Sequence, residues 1–111
     1  MIKLKILITG SAGYIGSHVV NYFQHRGYEV HTLDRNKQTL KSSKHYLIDL
    51  EKEPKNIYKI KYKCIIHLAS YTLPRESFKD IDKYIIGNLK MTNNIIKIFS
   101  FFERFIFTST A

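Results

Sequence analysis

Residues 4 to 18, LKILITGSAGYIGSH, constrain this chain more than any other stretch. An apolar run breaks at Gly10-x-x-Gly13-x-x-Gly16 and then continues with helical spacing. A strand, a glycine turn and a helix N-terminus together leave exposed backbone N–H groups at the positive end of a helix dipole, which favours a bound phosphate. The three glycines serve different ends. Gly10 permits the turn out of the strand, Gly13 removes a side chain where backbone approaches a pyrophosphate, and Gly16 lets the helix pack closely on the sheet. The spacing is one residue longer than the common dinucleotide fingerprint, and three glycines in an ordinary strand-to-helix turn are the plain alternative. Placement between a strand and a helix is what gives the motif its weight.

The rest of the chain repeats this alternation. KLKILIT (3 to 9) reads as a first strand, and YIGSHVVNYFQHRG as a helix with Ile15, Val19 and Phe23 on one stripe and Gly27 as its stop. YEVHTLD returns as a strand ending at Asp34, KHYLIDL (44 to 50) as a third, and KCIIHLAS (63 to 70) as a fourth. The segment from Pro54 to Ile60 has room for no more than a brief helix. From Ile81 to Phe102 the positions Ile81, Ile85, Leu89, Ile96 and Phe99 form the stripe of a long amphipathic helix, and RFIFTST closes the chain as a fifth strand. Apolar strands separated by helices predict a parallel sheet covered on both faces, doubly wound in the order 3-2-1-4-5. Ligands bind such a sheet beyond the carboxyl ends of its strands, which picks out Gly10 to Gly16, Asp34, Asp49, Leu68 to Tyr71 and Thr108 to Ala111 as one neighbourhood.

At 111 residues the chain fits one domain. Its 44% hydrophobic content is that of a globular protein, and no apolar run approaches the roughly 18 residues of a membrane span. No signal-peptide pattern opens the chain and Cys64 has no partner, so a cytoplasmic protein with a buried thiol is expected and a zinc site is not. The net charge of +9 comes largely from Lys37, Lys41, Lys44, Lys52, Lys55, Lys59, Lys61 and Lys63, spread out along the chain. Scattered lysines of this kind read as a solvated surface rather than a nucleic-acid face, for want of a reading element.

Several polar residues stand out at strand ends. Asp34, 18 positions after Gly16, is placed to accept from both ribose hydroxyls of an adenosine, which points to NAD, although a capping or turn role is the alternative. The neighbouring Arg35 keeps NADP open, since it can turn toward a 2′-phosphate. Asp49 is placed to accept from an adenine amino group with Leu50 packed on the ring, and a turn aspartate is nearly as good a reading. His67 lies inside an apolar strand and reads as a satisfied core histidine; no partner at metal-ligand spacing accompanies it.

ITGSAGYIGSH, the strand-end Asp34, the Asp49-Leu50 pair, IIHLAS, ESFKDIDKYIIGNLKMT and RFIFTST occur in an order and spacing that resemble the extended short-chain dehydrogenase/reductase family, specifically its nucleotide-sugar epimerases and dehydratases. The resemblance spans essentially the whole chain. It implies a Rossmann sheet truncated after the fifth strand, with residues 1 to 111 forming the N-terminal part of a dinucleotide-binding domain and the substrate domain absent. It further implies that Tyr14 and Ile15 line the pyrophosphate, Asp34 holds the ribose, and Asp49 and Leu50 contact adenine. Leu68, Ala69 and Ser70 would run beneath the nicotinamide half, with Asn88 supporting that strand end, and Thr110 would bond the reacting sugar hydroxyl.

Thr72 stands where many epimerases carry lysine, and Met91 replaces a small residue before Thr92, whereas Arg75-Glu76-Ser77 keeps the family's Glu-Ser pair. The family's chemistry is hydride transfer between sugar and nicotinamide, with a tyrosine base and a lysine four residues later. Here the residues four positions after each tyrosine are His18, Arg26, Thr32, Leu50, Tyr62, Ile66, Arg75 and Asn88. The expectation is therefore an NAD-binding fragment, inactive by itself, of an enzyme whose substrate is a nucleotide sugar; a non-catalytic dinucleotide-binding or sensory module is the alternative. A fifth strand left at an open edge beside Phe99, Phe101, Phe102 and Phe105 predicts marginal stability or homo-oligomerisation.

Overall fold

The N-terminal apolar run forms the centre of the sheet because only there are both of its faces covered. In the computed structural model, which describes residues 3–38, 41–70 and 81–107, it becomes β1 (Lys5–Thr9), with Ile6 to Thr9 buried. The chain continues through α1 (Tyr14–His25), β2 (Glu29–Asp34), β3 (Lys44–Leu47), β4 (Tyr62–His67), α2 (Ile81–Ile98) and β5 (Phe102–Phe107). All four strand pairings are parallel and the order is β3-β2-β1-β4-β5, the doubly wound arrangement that the alternation predicts. Ile8 sits between Thr32 of β2 and Ile66 of β4.

Alternate β1 side chains enter two separate cores, as the period of a strand requires. Ile6 and Ile8 pack with Val30, Ile66 and Val20 on the α1 side. Leu7 packs with Leu33, Tyr46, Tyr62 and Ile65 on the other side, under Met91, Ile95, Ile98 and Phe99. Tyr58 stacks on Phe99 with ring centroids 5.3 Å apart, while Tyr46 and Tyr62 meet the same ring edge-on. Beneath them His31 of β2 reaches across β1. Its Nδ1 lies 2.7 Å from the Tyr62 hydroxyl and its Nε2 2.7 Å from Glu29 Oε2. Burial, followed by the bond to Tyr46, holds the Tyr62 hydroxyl far above its ordinary pKa, so it stays protonated.

Several boundaries differ from the sequence expectation. β3 stops at Leu47, which leaves Asp49 and Leu50 in the following turn; the segment from Pro54 to Ile60 stays within its expected limit and forms no helix. On α1 the inner positions are Gly16 and Val20, with Val19 and Phe23 partly buried, and Ile15 faces outward. The α2 stripe is also displaced. Gly87, Met91, Asn94, Ile95 and Ile98 face the sheet, whereas Ile85, Leu89 and Ile96 are exposed. A helix with apolar residues on two sides leaves the sequence without a single phase, and docking on the sheet selects one. Cys64 is half-buried rather than buried, and burial pushes its thiol pKa up.

All eight lysines named from Lys37 to Lys63 are exposed. β5 is the outer strand on its side of the sheet, with Ile106 and Phe107 exposed. Among the described residues no helix is long and apolar enough to cross a membrane.

Because Phe99 is fully buried and touches three other rings, Phe99→Ala is expected to destabilise the fold by about 3–5 kcal/mol. Ile57→Ala, at a residue 69% exposed, should change it by no more than about 0.5 kcal/mol. Urea unfolding followed by circular dichroism checks both.

Candidate functional site

At the carboxyl ends of β1, β2 and β4 the backbone is brought closer than side chains would allow. Gly10 has φ +68°, and a Cβ there would lie 2.8 Å from both Ala69 N and Leu68 C. Its N–H donates to Leu33 O at 2.9 Å, so the turn is tied to β2 while it lies against the β4 exit. A Cβ on Gly16 would fall 2.0 Å from Gly10 O, so Gly16 is glycine because the helix packs on its own turn rather than because it packs on the sheet. Gly13 is different. Its backbone is ordinary and extended, and a Cβ would meet only Gly10 O at 3.4 Å.

These approaches leave a cavity of about 270 Å³. Of the residues singled out in the sequence, Gly10, Gly13, Asp34, Arg35, Asp49, Leu50, Leu68, Ala69 and Ser70 line it. Gly16 lies behind the turn, Tyr14 and Ile15 are exposed at the outer start of α1, and Asn88 is half-buried on α2; these four are not part of the lining. Thr110, Tyr71, Thr72 and Arg75-Glu76-Ser77 lie outside the described residues.

Asp34 takes its turn reading and also lines the cavity. Its Oδ2 accepts from Ala12 N–H at 3.0 Å and its Oδ1 from Asn36 N–H at 2.9 Å, which fixes the glycine turn and the loop after β2. A carboxylate offers about four acceptor positions, so each oxygen keeps one for a ligand. Asp49 behaves alike: its Oδ1 accepts from Glu51 N–H at 3.0 Å in a turn, and the residue still lines the cavity.

Sequence reasoning missed Leu33, Asn36, Ile48, Glu51 and Met91 as lining residues. It also missed Asn94, whose side-chain amide donates to Leu50 O at 2.6 Å and to Lys52 O at 3.1 Å, clamping the turn that carries Asp49. The available signal was an asparagine among Met91, Ile95 and Ile98 on an inner helix face. A buried amide needs partners, and irregular backbone nearby supplies them.

Thr9 and His67 fasten the floor. Thr9 Oγ1 accepts from Leu68 N–H and Ala69 N–H, both at 3.1 Å, and lies 2.6 Å from His67 Nδ1. With both lone pairs engaged, the hydroxyl must donate to Nδ1, which makes His67 a neutral acceptor protonated at Nε2. Burial agrees, lowering its pKa from 6.5 to about 4. Among the described residues no group of three potential metal ligands occurs.

A doubly wound parallel sheet with a glycine turn, a strand-end carboxylate and a cavity at its switch point defines a Rossmann-type nucleotide-binding domain. The model of the NAD-dependent epimerase/dehydratase family matches residues 6–111, and the chain belongs to that family. It is 30% identical to a dTDP-D-glucose 4,6-dehydratase of Dictyostelium discoideum over 96% of this chain and 29% of that protein. It is 34% identical to a UDP-glucose 4-epimerase of Lactobacillus helveticus over 78% of this chain and 28% of that one. The chain thus spans under a third of the length of these relatives. Among solved structures, UDP-glucose 4-epimerase of Thermotoga maritima with UDP-glucose aligns with TM-score 0.69 at 27% identity, over 96% of this chain and 38% of that one. MoeE5 in complex with UDP-glucose and NAD aligns at TM-score 0.72 over 96% of this chain and 36% of that one; at 23% identity it supports the fold alone.

The folded His67 binds its proton only near pH 4, whereas the unfolded chain binds it near 6.5. Its contribution to stability is therefore complete above pH 6.5 and is lost as the pH falls toward 4, by on the order of 3 kcal/mol. Urea titrations at pH 7 and pH 4 should show His67→Gln losing less stability between the two than the parent chain does.

Proposed function

We propose that the cavity holds the adenosine and pyrophosphate of NAD, in a protein that epimerises or dehydrates a nucleotide sugar. One observation carries the cofactor reading: Gly13 is required neither by its backbone angles nor by contacts within the chain, yet its missing side chain keeps the helix entrance open toward the cavity. A ligand approaching the backbone accounts for that vacancy, and the N–H groups at the start of α1 suit a pyrophosphate. The remaining acceptor positions of Asp34 suit ribose hydroxyls, and Asp49 with Leu50 suits adenine. NAD is preferred to NADP because a 2′-phosphate would meet the Asp34 carboxylate, with Arg35 as the group available to offset it.

The substrate class rests on the family and on relatives that act on dTDP-glucose and UDP-glucose. When bound, NAD supplies reversible hydride acceptance from a sugar carbon. The part proposed for the described residues is positional: Leu68, Ala69 and Ser70 form the surface beneath the nicotinamide half, with Asn88 supporting that end of β4. Thr110 is proposed to bond the sugar hydroxyl.

Calorimetric titration tests the reading. NAD should bind at least tenfold more tightly than NADP, and Gly13→Val should weaken NAD at least tenfold while the far-ultraviolet circular dichroism is retained. Failure of a folded sample to bind either dinucleotide, or unchanged binding in Gly13→Val, would overturn it.

A further inference from the structure

The loop after β2 carries Arg35 and Asn36 along the cavity wall, yet it is held by a residue that does not line the cavity. His45 lies on β3, the outer strand on that side of the sheet, in register with Thr32 of β2. Its Nε2 is 3.0 Å from Asn36 O and its Nδ1 is 2.8 Å from Thr32 Oγ1. A carbonyl only accepts, so Nε2 carries a hydrogen and donates it to Asn36. This holds for the neutral and the protonated ring alike. The Thr32 hydroxyl donates to Nδ1 in the first case and accepts from it in the second, with Lys44 O at 3.3 Å then available to take its hydrogen.

Asn36 is thereby held at both ends of its backbone: His45 binds its C=O, and its N–H donates to Asp34 Oδ1 at 2.9 Å. Asp34 Oδ2 is fixed in turn by Ala12 N–H at 3.0 Å. A line of hydrogen bonds thus runs from Thr32 through the His45 ring and the Asn36 backbone to the Asp34 carboxylate. We propose that His45 is a positioning residue that sets the choice between NAD and NADP, an inference that rests on the cavity holding the adenosine of a dinucleotide. Selectivity is a difference of two affinities, and here the repulsive element is a carboxylate that cannot turn away from a 2′-phosphate. Without the His45 tether, Asn36 can leave Asp34 Oδ1, and the carboxylate loses one of the two bonds that orient it. Arg35, which lies between the two residues, then moves with the loop. Both changes act in one direction, since ribose hydroxyls lose a fixed acceptor while a 2′-phosphate loses a fixed opponent and gains a more adaptable guanidinium. A contribution to stability alone would weaken both dinucleotides together and leave their ratio as it was.

Calorimetric titration of the full chain with NAD and with NADP, with circular dichroism of each variant, tests the proposal through the ratio of the two dissociation constants. His45→Asn keeps a polar group near Thr32 but is too short to reach Asn36 O, and it should lower the preference for NAD by about fivefold or more. His45→Gln places an amide N–H at the same number of bonds from the backbone as Nε2 and should keep the ratio within about twofold of the parent. Thr32→Val, which retains the buried shape but removes the hydroxyl that orients the ring, should shift the ratio the same way as His45→Asn and decides the matter should that variant not fold. An unchanged ratio in folded His45→Asn, or a loss in His45→Gln as large as in His45→Asn, would overturn the role of His45 while leaving the dinucleotide site standing. A folded parent chain that binds neither dinucleotide would overturn both.

Discussion

The close approach at Gly10 is the constraint on which the rest of the structure depends. Three backbone segments meet there: the turn out of β1, the exit of β4 at Leu68 and Ala69, and the end of β2 through Leu33 O. No side chain fits at this crossing, and the positive φ adds a conformational reason for glycine. Gly16 repeats the demand one helical turn later, against the carbonyl of Gly10 itself. Together they hold the start of α1 over the carboxyl edge of the sheet, and the cavity is the space that this arrangement encloses.

Polar fasteners keep that edge in place. The Thr9 hydroxyl joins β1 to two amides of the β4 exit and to His67, and its lone-pair count fixes the histidine as neutral. Asp34 ties the glycine turn to the loop after β2, and Asn94 ties α2 to the turn after β3. Each joins segments distant in the chain. The backbone that lines the cavity is irregular, and irregular backbone has to find its hydrogen bonds outside the ladders of the sheet.

At Asp34 and Asp49 the turn reading holds, and it leaves room for the ligand contacts proposed for them. A carboxylate has enough acceptor positions to hold a local turn and still present one outward. His67 is buried and hydrogen-bonded, as a satisfied core histidine is. Gly16 keeps its place in the motif but serves a nearer contact than the one the motif suggested.

By itself the sequence determined the alternation of strands and helices, the parallel sheet order and much of the cavity's lining. Those follow from local periodicity, glycine placement and the handedness of crossovers, all of which are short-range or generic. Only the tertiary structure decided which face of α2 is buried, that β3 ends before Asp49, and that Met91, Asn36 and Asn94 belong to the cavity or its support. Those choices depend on packing between segments far apart in the chain: α2 carries apolar residues on two faces, and contact with Leu7, Tyr46 and Tyr62 selects the one that is buried. The face left over, Ile85 to Ile96, became visible only once the other had been taken.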